Sequence, residues 1–463
     1  MNESTRWYDR SSLKPKRGRP LSGWFIAFAL FTSSSFSGFS GPLKSFERTT
    51  EPSRAGQAEE TCKGEFHSIS QPLNDLGPGE YIRPLQSGGG VPTGYYGGLY
   101  PDGENTRPPA HETAGVAAAS QIQPLDEAGQ PDPADGRIVM ISVGMSNTSQ
   151  EFIEFIEQVE GEAAINPQLV VVNGAQPGMT SDDWVDPAAP TWDEVDLRLE
   201  AAGVTPSQVQ VAWVKETRVG IGGFPGQAIT IEGDLETIAR NLLIRYPNIK
   251  IAYYSSRTRA YTYWSGLSPE PAAFENGFSV KWMIQKQING DPALNFAPPG
   301  PVVAPFLSWG PYLWADGPNP RSDGFTWLAE DLQDDCTHPS GVGEEKIACL
   351  LMEFFSTDTT AAGWFLDEPV TIYCHRLFMP AVASNQLSQS GAASCEPWMV
   401  MISLVWPFGA YLRELTCELL ALPLLRDLTE PDSSYTANAY SVIPGPESQH
   451  RLSAWAERLV GLR

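Results

Sequence analysis

Three side chains in this sequence have the types and spacing of an acyl-transfer apparatus. Ser146 lies in the segment Gly144-Met-Ser-Asn147, and His338 follows Asp335 by three residues. A carboxylate at that spacing can accept a hydrogen bond from Nδ1 of the histidine across a tight turn, which leaves Nε2 free as a base. A histidine base can activate a serine hydroxyl as a nucleophile. The residue types therefore predict ester chemistry with Ser146 as nucleophile, His338 as acid–base and Asp335 as its orienting partner.

Each of these residues also has a simpler interpretation. A serine between a strand and a helix often caps the helix, and Asn147 and Thr148 are neighbours of the same kind. An aspartate three residues before a histidine, just ahead of a helix, is often an ordinary surface turn. The catalytic interpretation is favoured because both segments fall at the same edge of the predicted fold.

The elements around these motifs predict an α/β fold. Apolar runs typical of buried strands occupy residues 138–143, 169–172, 209–214, 249–254 and 302–307. Helical patterns alternate with them over residues 152–159, 195–202, 234–246, 274–288 and 340–355. This alternation predicts a doubly wound parallel sheet in a three-layer α/β/α sandwich of about five strands. Reactive groups gather at the carboxyl ends of the strands in such sheets.

The order of the motifs resembles the SGNH/GDSL hydrolase superfamily. Gly-x-Ser follows the first strand, Asn173-Gly with Gly178-Met-Thr follows the second, and Asp335-x-x-His-Pro-Ser precedes the last helix. The resemblance covers residues 137–356, about half of the chain. It implies a flavodoxin-like sandwich that hydrolyses carboxylic esters through an acyl-serine intermediate, with no metal or cofactor. It also implies oxyanion donors at the Ser146 amide and at Gly178, although by itself the Gly178 loop is an ordinary strand-to-helix turn.

The sequence departs from that superfamily after the third strand. The family usually has Gly-x-Asn-Asp there, whereas this chain has Trp213-Val-Lys-Glu-Thr217. In this respect it is closer to the carbohydrate-esterase branch of the sialate O-acetylesterase type, which has Trp-x-Gln-Gly-Glu. Lys215 falls near the glutamine of that motif, and its ammonium can stabilise an oxyanion. Alternatively, Lys215 pairs with Glu216 or a nearby aspartate.

Three further residues are candidates for substrate binding. Asn173 follows the second strand, Arg257 follows the fourth, and Trp309 lies in an aromatic segment after the fifth. Arg257 can reach a substrate carboxylate or sugar hydroxyls, although exposed arginines are common at such positions. Trp309 can stack on a sugar ring, but packing in the core explains it equally well.

Charge and cysteine content restrict the class of protein. The chain has 31 Lys and Arg against 55 Asp and Glu, a net charge of −24, which disfavours binding to nucleic acid or to anionic membranes. The six cysteines are compatible with an oxidising compartment, and they stand at positions 62, 336, 349, 374, 395 and 417. Cys336 and Cys349 are close enough in sequence to form a disulfide, although a free buried thiol is an equal alternative.

The chain divides into four predicted regions. A basic segment and the apolar run 23–31 indicate an export signal, or an uncleaved anchor, within residues 1–41. A Gly/Pro-rich arm or linker over 42–134 precedes the SGNH-like domain at 135–364, and an extension follows at 365–463. That extension contains apolar runs that suit a packed helical pair, a peripheral membrane element or an accidental extension.

The sequence as a whole therefore favours a secreted or cell-envelope ester hydrolase. Small esters or acylated glycans are the expected substrates, with O-acetyl groups on glycans implied by the branch resembled. The alternative is a non-catalytic cell-surface or glycan-binding protein on an SGNH-like scaffold. The missing Asn motif and Cys336, inside the histidine turn, motivate this alternative.

Overall fold

The computed structural model describes residues 60–220 and 222–372. The predicted export signal at 1–41 and residues 373–463 of the C-terminal extension lie outside these residues. The strands are β1 (Glu80–Pro84), β2 (Gly90–Tyr96), β3 (Ile138–Gly144), β4 (Leu169–Val172), β5 (Val209–Lys215), β6 (Ile251–Tyr254) and β7 (Phe306–Trp309). The helices are α1 (Leu73–Leu76), α2 (Pro109–Ala119), α3 (Ser146–Gly161), α4 (Pro190–Ala201), α5 (Gly226–Arg245), α6 (Ala272–Ile288), α7 (Gly341–Thr357) and α8 (Ala362–Phe365). None of the helices in this part of the chain is long and apolar enough to cross a membrane.

Five parallel strands form the central sheet in the order β4-β3-β5-β6-β7. Every residue of β3 and β5 is buried, as expected for strands covered on both faces. Gly144 at the end of β3 is in register with Lys215 at the end of β5. In this order β3, the first of the five strands in sequence, lies between β4 and β5. The chain segments that follow β3 and β5 are therefore neighbours at the carboxyl edge of the sheet.

Alternate residues of the central strands pack against opposite layers of helices. Ile138 and Met140 of β3 belong to the core shared with α3 and α7, whereas Val139, Ile141 and Val143 belong to the core shared with α4, α5 and α6. This period of two is the geometry of a strand between two apolar layers. The predicted three-layer α/β/α sandwich is confirmed.

Two of the predicted boundaries that differ from the structure involve a Gly or a Pro. The third predicted helix begins at Gly226 directly after Pro225, not at Asp234, and continues through Gly233. The fifth strand covers Phe306–Trp309 rather than residues 302–307, because Pro305 has no N–H to donate to a ladder. The helix thus tolerates Gly233, whereas Pro305 marks where the ladder of β7 begins.

Residues 60–134, predicted as part of an arm or linker, carry regular structure packed on the sandwich. The antiparallel hairpin β1–β2 places the fully buried Tyr81 against Phe274 and Phe278 of α6, with ring centroids 4.8 and 5.6 Å away. On α2, His111 stacks on Phe306 of β7 at 4.3 Å. The elements are short and their anchors are isolated aromatic residues, so no sustained periodicity marks them in the sequence.

Candidate catalytic site

Ser146, His338 and Asp335 form one chain of hydrogen bonds at the carboxyl edge of the sheet. Ser146 Oγ lies 2.7 Å from Nε2 of His338, although the two residues are 192 positions apart. Nδ1 of His338 is hydrogen-bonded to Oδ2 of Asp335. An ionised carboxylate only accepts, so Nδ1 carries the proton and Nε2 is left to accept from the serine hydroxyl. The three residues thus have the arrangement of a nucleophile, a base and an orienting carboxylate.

The nucleophile candidate stands at the start of α3. The helix begins at Ser146, directly after Met145, and no side chain among the described residues caps it. The Ser146 hydroxyl is engaged by His338, so the capping interpretation is wrong for this residue. Gly144 is required just before the helix, because a Cβ there would lie 2.4 Å from Thr148 Oγ1. The first N–H groups of the helix therefore remain available beside the serine.

The histidine turn is organised by the Asp335 carboxylate. Oδ1 accepts hydrogen bonds from the amides of Thr337 and His338, each at 2.9 Å, while Oδ2 takes Nδ1–H. Partial burial raises the pKa of Asp335, but the hydrogen bonds from the His338 amide and imidazole and from the Thr337 amide outweigh it. The net effect holds the pKa below its ordinary value. Asp335 is consequently a carboxylate at neutral pH, as the orienting role requires.

Asn147 makes a second link between α3 and the histidine turn. Its Nδ2 donates to the carbonyl of Thr337 at 2.8 Å, and both residues are buried. This hydrogen bond lies next to the one between Ser146 and His338, because Asn147 directly follows Ser146 and Thr337 directly precedes His338. The sequence suggests only a capping role for Asn147, because its partner lies 190 positions away.

Lys215 lies beneath the site rather than in it. Its Nζ is 2.5 Å from both carboxylate oxygens of Glu151 on α3, and both side chains are fully buried. The carbonyl of Lys215 also accepts from Thr148 Oγ1 at 2.7 Å. The predicted role of Lys215 as an oxyanion donor is not supported by this position, and neither is its pairing with Glu216. Lys215 instead ties the end of β5 to the first turns of α3.

Burial dominates the ionisation of this pair. It lowers the pKa of Lys215 to about 8 and raises the pKa of Glu151. Attraction between the two charges opposes both shifts. Desolvation of two buried charges is costly unless they meet each other directly, which is what the two short Nζ–carboxylate contacts achieve.

The loop that carries Gly178 crosses the carboxyl edge next to the serine. The Gln176 amide donates to the carbonyl of Gly144 at 2.9 Å, and the Ser181 amide donates to that of Thr217 at 3.0 Å. Gly178 is exposed between these two anchors, with φ +83°, and a Cβ added there would meet no atom within 4 Å. Its positive φ, rather than lack of space, is what favours glycine there.

Of the three weaker substrate-binding candidates, Arg257 and Trp309 are buried in the fold and Asn173 is partly buried. Asn173 Nδ2 donates to Ser149 Oγ at 2.9 Å, which fixes α3 beside β4. Trp309 is 2% exposed and its Nε1 donates to the carbonyl of Leu99 at 2.7 Å. Arg257 is also 2% exposed, and neither its Nε nor its Nη1 has a hydrogen-bond partner among the described residues. For Trp309, the core-packing alternative is the one that the structure supports.

The disulfide differs from the one considered from the sequence. Cys336 is joined to Cys62, with Cα atoms 4.8 Å apart across a separation of 274 positions. The suggested Cys336–Cys349 bridge is therefore wrong, and Cys349 is itself disulfide-bonded. The Cys62–Cys336 pair could not be predicted from the spacing of cysteines in the sequence. Its two residues meet only when residues 60–64 pack against the histidine turn.

Comparisons with known proteins do not assign this chain to a family. No protein-family model and no curated protein matches it. Within the described residues, no group of three or more His, Cys, Asp or Glu side chains is arranged to hold a metal ion. The function must therefore be inferred from the geometry of the site itself.

Proposed function

We propose that this protein is a serine ester hydrolase that acts through an acyl-serine intermediate on Ser146. The observation that carries the proposal is the 2.7 Å contact between Ser146 Oγ and Nε2 of His338, with Nδ1 held by Asp335. A capping serine and a histidine in a surface turn need no such contact. The pairing also occurs at the carboxyl edge of a doubly wound sheet, the usual place for reactive groups in this architecture.

The proposed reaction has two acyl-transfer steps. Nε2 of His338 takes the proton as Ser146 Oγ bonds to the acyl carbon, and the carbonyl oxygen becomes an oxyanion. When the tetrahedral intermediate collapses, His338 returns the proton to the departing alcohol. A water molecule then repeats the sequence on the acyl-serine and releases the carboxylic acid. Asp335 keeps the imidazole in the required tautomer and stabilises the imidazolium.

The oxyanion is assigned to backbone N–H groups. Those at the start of α3 are free of side-chain caps within the described residues, and the helix dipole favours negative charge there. The exposed amide of Gly178, on the loop anchored to Gly144, is the second proposed donor. Loss of one such donor typically costs ~10²–10³ in rate.

Acetyl esters of glycans are the proposed substrate class. This part of the proposal comes from the resemblance of the segment after β5 to the carbohydrate-esterase branch and from the predicted export signal. The corresponding location is the cell exterior or envelope. The competing proposal is a non-catalytic glycan-binding protein on the same scaffold, in which Ser146 has no enhanced reactivity.

The decisive experiment is replacement of Ser146 by alanine. We expect Ser146→Ala to abolish hydrolysis of p-nitrophenyl acetate and to prevent labelling by a fluorophosphonate probe, because the nucleophile is lost. Ser120→Ala, at an exposed position after α2, is the matched control and should retain both. Peptide mapping of the wild-type label to Ser146 would separate a hydrolase from the binding protein. Unchanged hydrolysis by Ser146→Ala would refute the mechanism.

A further inference from the structure

The disulfide lies within the histidine turn itself. Cys336 stands between Asp335 and His338, and its backbone has φ +59°. This left-handed conformation is costly for a residue with a Cβ and persists only where surrounding structure enforces it. The orienting carboxylate and the imidazole are thus joined through a residue whose conformation needs external support.

Several contacts from elsewhere in the fold converge on this residue. Its amide donates to the carbonyl of Gln333 at 2.9 Å, and its carbonyl accepts from the Tyr261 amide at 3.0 Å. The Cys62 amide donates to the carbonyl of Leu332 at 2.9 Å, so the N-terminal segment pairs with the turn beside the disulfide. The cross-link thus joins the turn to a segment that is already hydrogen-bonded to it.

Burial restrains the two functional side chains of the turn only weakly. The side chain of Asp335 is 40% exposed and that of His338 is 21% exposed. By contrast, the Lys215–Glu151 pair beneath the serine is fully buried. The position of the imidazole therefore depends on the backbone of the turn more than on packing around the ring.

We propose that the Cys62–Cys336 disulfide positions the histidine turn for catalysis, and that its reduction by a dithiol lowers turnover without unfolding the protein. Cys62 and Cys336 are positioning residues in this proposal, which rests on the proposed function. They act through the backbone that joins Asp335 to His338.

The reduction is an ordinary thiol–disulfide exchange. A dithiol thiolate attacks Sγ of the partly exposed Cys336, forms a mixed disulfide and releases the thiolate of Cys62, which is buried. The second thiol of the reagent then displaces the Cys336 thiolate. The dithiol leaves as its cyclic disulfide, having supplied two electrons, and the two cysteine thiolates take up protons.

The first test compares oxidised protein with protein reduced by dithiothreitol. We expect kcat for p-nitrophenyl acetate to fall about tenfold or more on reduction, with KM changed less than about twofold, and to recover on reoxidation. Far-UV circular dichroism should stay unchanged. Cys62→Ser/Cys336→Ser should have low kcat and no response to dithiothreitol. Because Cys349 is disulfide-bonded too, that insensitivity would assign the effect to the Cys62–Cys336 bond.

A second pair of variants separates the backbone conformation from the cross-link. Glycine adopts φ +59° freely, whereas a β-branched residue strongly resists it. Cys62→Ser/Cys336→Gly should therefore retain several-fold higher kcat than Cys62→Ser/Cys336→Val. If the disulfide only stabilises the fold, all these forms will have wild-type kcat well below their melting temperatures, and the proposal is wrong.

Amide hydrogen exchange tests the proposal without reference to activity. Thr337 and His338 amides donate to Asp335 Oδ1, so loosening of the turn on reduction should accelerate their exchange while amides of α3 stay protected. This measurement on reduced wild-type protein can overturn the proposal even if the variants fail to fold. Equal protection before and after reduction would overturn the positioning role. Failure of the proposed function would appear separately, as unchanged hydrolysis by Ser146→Ala.

Discussion

The proposed reacting groups and the side chains that support them differ in exposure. Ser146, His338 and Asp335 are at least partly exposed, which the proposed site needs if a substrate is to reach Ser146 and His338. Their supports are buried, with Asn147 at 2% exposure and Glu151 at 0%. A preorganised site needs such buried supporting side chains, because their fixed positions limit the motion of the more exposed side chains that they contact.

Asp335 offers a direct test of the tautomer argument. We expect Asp335→Asn to lower kcat by about 10²–10⁴, because an amide N–H facing Nδ1 favours the tautomer with its proton on Nε2. The asparagine Oδ1 can still accept from the Thr337 and His338 amides, so the turn should survive. Asp334→Asn, at the exposed neighbouring position, is the control. Steady-state kinetics with p-nitrophenyl acetate give the answer, and near-normal kcat in Asp335→Asn would rule out the orienting role.

Asn147 is predicted to act on turnover rather than on substrate affinity. Asn147→Ala removes the donor to the buried Thr337 carbonyl, and an unmet buried acceptor costs about 1–3 kcal/mol. We expect displacement of the histidine turn to lower kcat roughly tenfold or more, equivalent to about 1.4 kcal/mol of the activation barrier, while KM stays within about twofold. Gln158→Ala, near the far end of α3, should leave both constants unchanged. An effect confined to KM would place Asn147 in substrate binding instead.

At the scale of elements, helix α3 both carries the proposed nucleophile and packs against the central sheet. Its first residue is the proposed nucleophile, and its buried face carries Phe152, stacked 5.6 Å from Trp213 of β5. Thr148 and Glu151 add polar ties to Lys215 at the end of that strand. Packing and the ion pair together hold the start of the helix in place, and no side chain in the described part of the chain caps its first N–H groups, so these can face an anion.

The buried ion pair between α3 and β5 should be strongly coupled. Lys215→Met or Glu151→Leu alone leaves an unpaired buried charge and should lower the free energy of unfolding by about 3–5 kcal/mol. The double variant should cost much less than the sum of the single changes. Urea unfolding of the four proteins measures the coupling. Arg240→Met, in the partly exposed pair with Glu236, should cost under about 1 kcal/mol. Additive single effects would show that the pair does not act as a unit.

At the scale of the whole molecule, residues 99–119 protect an open edge of the sheet. β7 is an edge strand, and such strands expose unpaired backbone groups. Nε2 of His111 lies 2.9 Å from the carbonyl of Leu307, and the hydroxyl of Tyr100 accepts from the Trp309 amide at 3.3 Å. Residues 99–119, which belong to the region predicted as an arm or linker, therefore cover the edge strand β7.

His111 should make folding sensitive to mild acid. Because a carbonyl only accepts, Nε2 carries the proton in the neutral ring, and burial lowers the pKa of His111 to about 4. The unfolded chain takes up a proton at this residue near its ordinary pKa of about 6.5, before the folded protein does. Stability is therefore fully present above about pH 6.5 and falls as pH drops towards 4, by ~2–3 kcal/mol at pH 4.5.

The matched variant is His111→Gln, which keeps an N–H donor but does not titrate. Urea unfolding at pH 7 and pH 4.5 should show a smaller acid loss for this variant than for the wild type, by about 2–3 kcal/mol. The difference between the two proteins isolates His111 from the carboxylates that titrate in the same range. Equal losses in both proteins would mean that His111 is not the responsible group.

The sequence by itself determined the layered fold and the three residues of the proposed site. Apolar periods of two and of 3.6 are local, so they specify buried strands and amphipathic helices without tertiary information. Asp335 and His338 interact across a three-residue turn, and Ser146 follows directly on a strand, so their positions could be predicted as well. The boundaries of α5 and β7 could not be predicted from the same patterns, because a Gly or a Pro is tolerated in some positions of an element and not in others.

Only the tertiary structure decided the partners of these residues. The contacts of Asn147 with Thr337, of Lys215 with Glu151 and of Cys62 with Cys336 join segments 190, 64 and 274 positions apart. It also placed Arg257 and Trp309 inside the fold. Which buried polar groups meet is set by strand order, register and helix packing across the whole chain, and none of these leaves a local pattern in the sequence.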